Sequence, residues 1–389
     1  MNIEYTDEQK ELIEKAVEWY RDPDADQVFQ YTGIAGTGKS LVMHAIIERL
    51  GLDECEISAM TYTGAAALVM RRNGFRTART VHSTIYSPTI DPKTGKVVFV
   101  LTGYPLGTRL VCIDEASMIN SELKDDIEWT NSKILVCGDA ENQLPPIHGK
   151  PAYLNKNDDI FRLTKIMRQA KDSAIINIAS MVRRGDKPRK GIYNNGEVIV
   201  MSKKEFDDNL DSIVKNYNMI VCGYNRTRDN LNKDIRKFIY NYRSPLPHKG
   251  ERLICRKNNW GIEVDGINLV NGLCGTALET VEINDFSSDK YNLTFKADFM
   301  DVPFEIQADY QYLIAPYPKR KEMLDLNTKL KVNTFEKFEY AYAITTHVAQ
   351  GSQFNKGVYI EEYIPDISKK LNYTGVTRFT NKCIYVIPK

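Results

Sequence analysis

Hydrophobic positions in this chain come in short runs separated by longer amphipathic stretches, the pattern of an α/β fold. In the first third, residues 28–32, 56–62, 109–114 and 133–138 read as strands and 41–50 as a helix. The runs 109–114 and 133–138 are almost continuously apolar, as strands buried on both faces of a parallel sheet are. Phosphate-binding and acidic residues gather at the C-terminal ends of the strands, the edge where open α/β sheets place ligands. Between His82 and Arg109 the pattern breaks. Asp91, Pro92, Thr94 and Gly95 form a turn cluster between two β-rich segments, 83–90 and 96–101, which predicts an inserted β-hairpin. A second α/β series starts near Leu163, with strands expected at 197–201, 219–223, 341–346, 357–361 and 383–387. From about Gly250 to Asp309 it is interrupted by runs of period two between Asn, Gly and Asp turns, which predicts a small antiparallel barrel.

Composition narrows this picture in three ways. A length of 389 residues allows two or three domains with sizeable cores. The net charge of +1 argues against coating of duplex DNA by a basic face, so any nucleic-acid binding must come from a local groove with stacking side chains. No apolar run approaches membrane-spanning length and the acidic start lacks a hydrophobic leader, so a cytoplasmic protein with no membrane partner is expected. The seven cysteines are odd in number and form no CxxC pair, which reads as buried thiols and not as a disulfide frame or zinc site.

The strongest chemical signal is the stretch Gly33 to Ser40, which satisfies every fixed position of a phosphate-binding P-loop between a strand and a helix. The backbone from Gly33 through Ala35, Gly36, Thr37 and Gly38 can turn its N–H groups around a triphosphate, and the new helix offers its positive end. Lys39 is placed to reach the β- and γ-phosphates, and the Ser40 hydroxyl to sit on Mg²⁺. Asp114 and Glu115 end a buried strand. Asp114 is expected to hold Mg²⁺ and Glu115 to take a proton from the attacking water; capping of the next helix is the alternative. Gln143, in the loop after residue 138, can report the γ-phosphate, or the loop is simply a proline-rich surface turn.

Segments 33–40, 114–117 and 138–146 resemble motifs I, II and III of superfamily 1 helicases, 341–352 resembles motif V, and 371–378 resembles motif VI. Their order and the inserted segments are most similar to the RecD/Dda branch, superfamily 1B. The resemblance implies two RecA-like parallel-sheet domains. One comprises residues 1–83 and 107–162, with a hairpin (the pin) inserted at 84–106. The other comprises 163–249 and 313–389, with an SH3-like β-barrel inserted at 250–312. ATP and Mg²⁺ are then expected in the cleft between the domains, with Gly351 beside them. Gln9 would read adenine, although Thr6 to Gln9 is also a capping box. Gln143 would sense the γ-phosphate, and Arg168 and Arg378 would stabilise charge on the γ-phosphoryl oxygens.

A single strand is expected across Thr63 (motif Ia), Thr80 and His82 (motif Ib), and Thr346 and His347 (motif V). Phe99 and Tyr86 are the aromatic candidates to stack on the last base pair. Two departures stand out: Phe379-Thr380 follows Arg378 where a small or basic pair is usual, and Val348-Ala349 replaces a lysine-containing pair before Gln350. The second removes one phosphate contact. The implied activity is an ATP-driven DNA helicase moving 5′-to-3′ on single-stranded DNA. It would act as a monomer at single-to-double-strand junctions, with replication or recombination proteins as partners. One class apart is a nucleic-acid-stimulated ATPase that remodels or anchors protein–DNA complexes without separating strands.

Overall fold

The protein is described by a computed structural model covering residues 4–90, 92, 97–139, 141–145, 150–155, 160–167, 172–282, 289–330 and 335–388. Six strands form a parallel sheet in the spatial order Arg79–Thr80, Ile57–Thr61, Leu110–Ile113, Lys133–Gly138, Val28–Gly33, Phe161–Leu163. Helix Asp7–Arg21 turns Leu12, Ile13, Ala16 and Val17 onto one face, and helix Lys39–Leu50 does the same with Val42, Met43 and Ile46. Together they close a core over Tyr31, Cys112, Leu135 and Cys137. Burying each such aliphatic side chain contributes about 1.5–3 kcal/mol. The run 133–138 is a strand over the residues expected, whereas Arg79–Thr80 and Phe161–Leu163 are too short to carry a periodicity.

The second parallel sheet has the order Ala343–Thr345, Met219–Cys222, Phe354–Ile360, Phe379–Ile387, Val198–Ser202, with Gly191–Tyr193 antiparallel at the far edge. The expected strand at 341–346 is confined to Ala343–Thr345, and a separate strand, Phe338–Tyr340, precedes it. Phe338–Tyr340 pairs antiparallel with Arg252–Cys255 in the inserted sheet, and Ala343–Thr345 pairs parallel with Met219–Cys222. The chain changes sheets between them, where the Ala341 N–H donates to the Arg252 carbonyl and the Ile220 N–H to the Tyr342 carbonyl.

Two segments interrupt the parallel sheets. Tyr86–Ile90 and Val97–Leu101 pair as an antiparallel hairpin. It starts later than expected because Thr80 caps a short helix over Val81–Ile85. The other is a five-stranded antiparallel sheet in the order Phe304–Asp309, Lys290–Ala297, Cys274–Glu282, Arg252–Cys255, Phe338–Tyr340. It takes its last strand from beyond residue 312, and a parallel bridge between Ala308 and Glu336 brings its two edges together. Buried charges weld this sheet to the second domain. Glu339 accepts from Tyr312 Oη at 2.8 Å and lies 3.3 to 3.6 Å from Arg228, Arg256 and Arg320. Glu251 is held by Arg236 and by the Tyr342 hydroxyl, each at 2.7 Å. Towards the first domain the contact is lighter: Arg71 donates to the Asp265 and Gly266 carbonyls, and Ala67 and Leu68 pack on Leu269 and Leu273. No helix among the described residues is long and apolar enough to cross a membrane.

Candidate nucleotide site and strand-facing edge

The P-loop turns through Gly36 and Gly38, whose φ angles of 85° and 78° lie in the left-handed region. At Gly38 a Cβ would also stand 2.6 Å from Gln9 Nε2 and 2.7 Å from Met167 Sδ. Lys39 opens the helix and donates through Nζ to the Gly33 carbonyl at 2.9 Å, which curls its ammonium over the loop. Ser40 Oγ donates to Asp114 Oδ2 at 3.1 Å. A hydroxyl and a carboxylate this close, beside a phosphate loop, form the oxygen pair a Mg²⁺ ion takes. The Leu110–Ile113 strand, buried at every residue, carries Asp114 to that point.

Glu115 follows in a left-handed conformation, φ 55°. Its backbone N–H donates to Asp114 Oδ1 at 2.8 Å. Oε1 accepts from Gln143 Nε2 at 3.5 Å and lies 3.8 Å from Arg378 Nη1, while buried Oε2 makes no hydrogen bond among the described residues. Burial pushes this carboxyl up from the ordinary carboxylate value; Arg378 opposes that and Asp114 adds to it. Arg378 arrives from the second domain, fixed by Nε to the Thr374 carbonyl at 3.0 Å and by Nη2 to Thr377 Oγ1 at 3.2 Å. Gln143 Oε1 accepts from Ser117 Oγ at 3.2 Å. These groups line a cleft of about 520 Å³ walled by Lys39, Ser40, Asp114, Glu115 and Gln143 on one side and Gly351, Thr377 and Arg378 on the other.

Three further residues span the cleft. The Tyr373 hydroxyl accepts from the Ala35 N–H at 2.7 Å and donates to Asp139 Oδ2 at 2.8 Å. Thr374 Oγ1 accepts from the Leu144 N–H at 3.2 Å, and Gln350 Nε2 donates to the Leu144 carbonyl at 3.0 Å. Sequence reasoning passes over all three as site residues, although each lies in the segments that resemble motifs V and VI.

Several expected residues have more specific positions than their type implies. Gln9 does both local jobs: Oε1 accepts from the Thr6 N–H and Nε2 donates to the Thr37 carbonyl, both at 2.9 Å. One bond at each end leaves the amide a second N–H and a second lone pair. Thr37 is buried, with Oγ1 donating to the Ile34 carbonyl at 2.8 Å. Arg168 lies outside the described residues; the Met167 N–H before it donates to the Gly36 carbonyl at 2.9 Å.

On the strand side, Thr63 caps helix Gly64–Arg72 at the interdomain seam, where a Cβ on Gly351 would come within 2.7 Å of its hydroxyl. His82 lies half-buried between Tyr62 and Tyr86, and burial lowers its pKa, as it does for His347. Thr80 and Thr346 correct the expectation of hydroxyl contacts. Both are buried: Thr80 accepts from the Ser83 N–H and Thr346 donates to the Cys222 carbonyl at 3.1 Å. Each hydroxyl meets a backbone polar group that burial would otherwise leave unpaired. The hairpin separates its two aromatics, since Tyr86 is anchored by its hydroxyl to Asp126 whereas Phe99 is 44% exposed.

A P-loop, a paired hydroxyl and carboxylate beside it and a second carboxylate facing an arginine from a second parallel-sheet domain define a P-loop nucleotide-binding protein with a RecA-like core. The chain belongs to the family described as AAA domain, which matches residues 4–203. It is 27% identical over 429 aligned positions to an uncharacterised protein of Methanocaldococcus jannaschii; the match takes in 92% of this chain and 36% of that one. This chain thus spans little more than a third of the relative's length. The Pif1 helicase from Candida albicans shares the fold at a TM-score of 0.53 and 17% identity, over 99% of this chain and 94% of that one. Pif1 from Bacteroides, solved in complex with ADP-AlF3 and single-stranded DNA, gives 0.55 and 17% over 99% and 92%. What the chain shares with both Pif1 structures is the fold.

Proposed function

We propose that this protein is an ATP-dependent DNA helicase of the RecD/Dda-like branch that moves 5′-to-3′ along single-stranded DNA and opens duplex during replication or recombination. The observation that carries the reading is the Arg378–Glu115 approach of 3.8 Å, because the hydrolytic site is complete only while the two domains meet. In this reading Lys39 and the P-loop N–H groups bind the phosphates. Ser40 and Asp114 would hold Mg²⁺, which supplies charge neutralisation between the β- and γ-phosphates. Glu115 Oε2, buried and without a hydrogen-bond partner among the described residues, takes the proton from the attacking water. Arg378 stabilises the charge that spreads over the γ-phosphoryl oxygens, a role worth about 10³–10⁵ in rate. Gln143, bonded to Glu115, reports whether the γ-phosphate is present.

Motion follows from the same geometry. Release of the cleaved phosphate takes away the charge that Arg378 answers, the cleft opens, and the second domain shifts along the strand. Opening DNA costs about 1.4 kcal/mol per base-pair step, well within what one ATP supplies. The hairpin at 84–106 acts as the pin that splits the duplex, and the sheet inserted from residue 250 closes over the strand. The enzyme works as a monomer in the cytoplasm. ATP turnover with and without an oligonucleotide, followed by unwinding of duplexes with 5′ or 3′ tails, tests this. Stimulated turnover and opening of 5′-tailed duplex are expected; turnover indifferent to oligonucleotide would overturn the reading.

A further inference from the structure

The loops that follow three neighbouring strands of the second sheet, Ala343–Thr345, Met219–Cys222 and Phe354–Ile360, meet at its C-terminal edge. They carry His347, then Tyr224 and Arg226, then Tyr363. Tyr363 is 75% exposed and Tyr224 is 44% exposed. Arg226 is exposed too and makes no ion pair among the described residues.

These tyrosines are held in place. The Glu362 carboxylate accepts from the N–H groups of Gly223 and Tyr224, each at 2.7 Å, and from the Thr227 hydroxyl. This ties the loop after residue 360 to the start of helix Asn225–Asp234. The Tyr224 hydroxyl donates to the Tyr363 carbonyl, so one aromatic loop braces the other. Thr346 joins the third loop through the Cys222 carbonyl. A ring pinned through its hydroxyl, as in Tyr224, beside a second exposed ring whose backbone holds it, as in Tyr363, is what successive bases stack upon.

Charge decides between occupants. A nearly neutral protein gains little from bulk attraction to phosphate, so stacking must carry much of its grip on a strand. Arg226 beside the rings adds a local phosphate contact and the planar cation that stacks on bases. We propose that Tyr224 and Tyr363 form a base-stacking platform for a single nucleic-acid strand on the second domain, continuous with His347. This rests on the helicase reading above.

The test is fluorescence anisotropy of the full chain with a fluorescein-labelled oligothymidylate across a range of salt. Tyr224→Ala and Tyr363→Ala should each weaken binding by about 5- to 150-fold with no change in salt slope, because stacking releases no counterions. Tyr363→Phe should bind as wild type does. Arg226→Ala should lower the slope by about one. Thermal unfolding of each variant checks that it is folded. If wild type binds and both alanine variants bind equally well, or lose affinity together with salt slope, the platform is wrong. If wild type itself does not bind, it is the helicase reading that fails.

Discussion

Burial works against ionisation of the Glu115 carboxyl, and Arg378 and Lys39 only partly offset it while Asp114 adds to it. A base held above the ordinary carboxylate value is protonated, and idle, over a wider acidic range. Turnover should therefore rise with pH through that raised value, and its acidic limb should lie above the usual carboxylate range. Glu115→Gln should keep ATP binding and lose both the limb and most of kcat. A pH–rate profile of oligonucleotide-stimulated hydrolysis checks this; a normal kcat in the variant would place the base elsewhere. Lys39, Ser40, Asp114 and Glu115 were candidates because phosphate and metal chemistry fixes residue type at set offsets from a strand end, and Gln143 and Arg378 were candidates by resemblance to motifs III and VI. Tyr373 was not, since one tyrosine among 22 has no spacing to betray it. Its meaning comes from the Ala35 N–H, 338 residues away in the chain.

Elements were legible in proportion to their length and the burial of both faces. The continuous apolar run 133–138 stood out, whereas the two-residue strand Arg79–Thr80 exists only because Ile57–Thr61 offers it a parallel edge. The strand Phe338–Tyr340, just before the expected 341–346, could not be read either, because three residues carry no period and its pairing with Arg252–Cys255 depends on a partner distant in sequence. For the hairpin, structure and sequence together single out Phe99, which is exposed, over Tyr86, which is tied to Asp126. Phe99→Ala is expected to reduce strand separation in a forked-duplex assay while ATP turnover on single-stranded DNA continues. Equal loss of both would remove the hairpin from strand separation. The inserted sheet depends on Glu339. Burial disfavours its charge, but Arg256, Arg228, Arg320 and the Tyr312 hydroxyl outweigh that and hold its carboxyl below the usual range. Its folded pKa lies below the unfolded one, so this stabilisation is present above the unfolded value and is lost as pH falls through the folded value. Glu339→Gln takes the carboxylate from buried Arg256 and leaves Arg228 and Arg320 with Asp229 alone, and should cost about 3–5 kcal/mol. Thermal unfolding read against pH tests both statements: the variant should melt lower at neutral pH and be less sensitive to acid.

Across the whole molecule, the contacts that matter are those made when the two parallel-sheet domains meet. The inserted sheet shares its buried ion pairs with the second domain, while its hold on helix Gly64–Arg72 rests on Arg71, on the Arg72 guanidinium over the Phe299 ring and on a small apolar patch. In the proposed cycle of closing and opening, the lighter Arg71 contact would give way before the Glu339 one. Tyr373 sits where that cycle meets the nucleotide. Its hydroxyl occupies the Ala35 N–H, one of the P-loop groups a phosphate can claim, and donates to buried Asp139. Phosphate arriving at the loop competes for the same N–H. In this reading nucleotide would be felt directly by helix Ser368–Val376, which holds Tyr373 and Thr374 and is followed by Thr377 and Arg378. Tyr373→Phe removes both bonds at almost no change in volume and leaves a buried carboxylate oxygen short of its donor, which costs about 1–3 kcal/mol at the interface. Nucleotide affinity should hold or improve, because Ala35 no longer has to be taken from the tyrosine. The ratio of ATP turnover with oligonucleotide to turnover without it should fall, because the domains no longer register P-loop occupancy through this hydroxyl. Titration with a fluorescent nucleotide and phosphate release with and without oligothymidylate measure the two quantities separately. An unchanged ratio would mean that Gln350 and Thr374, through Leu144, couple the domains unaided.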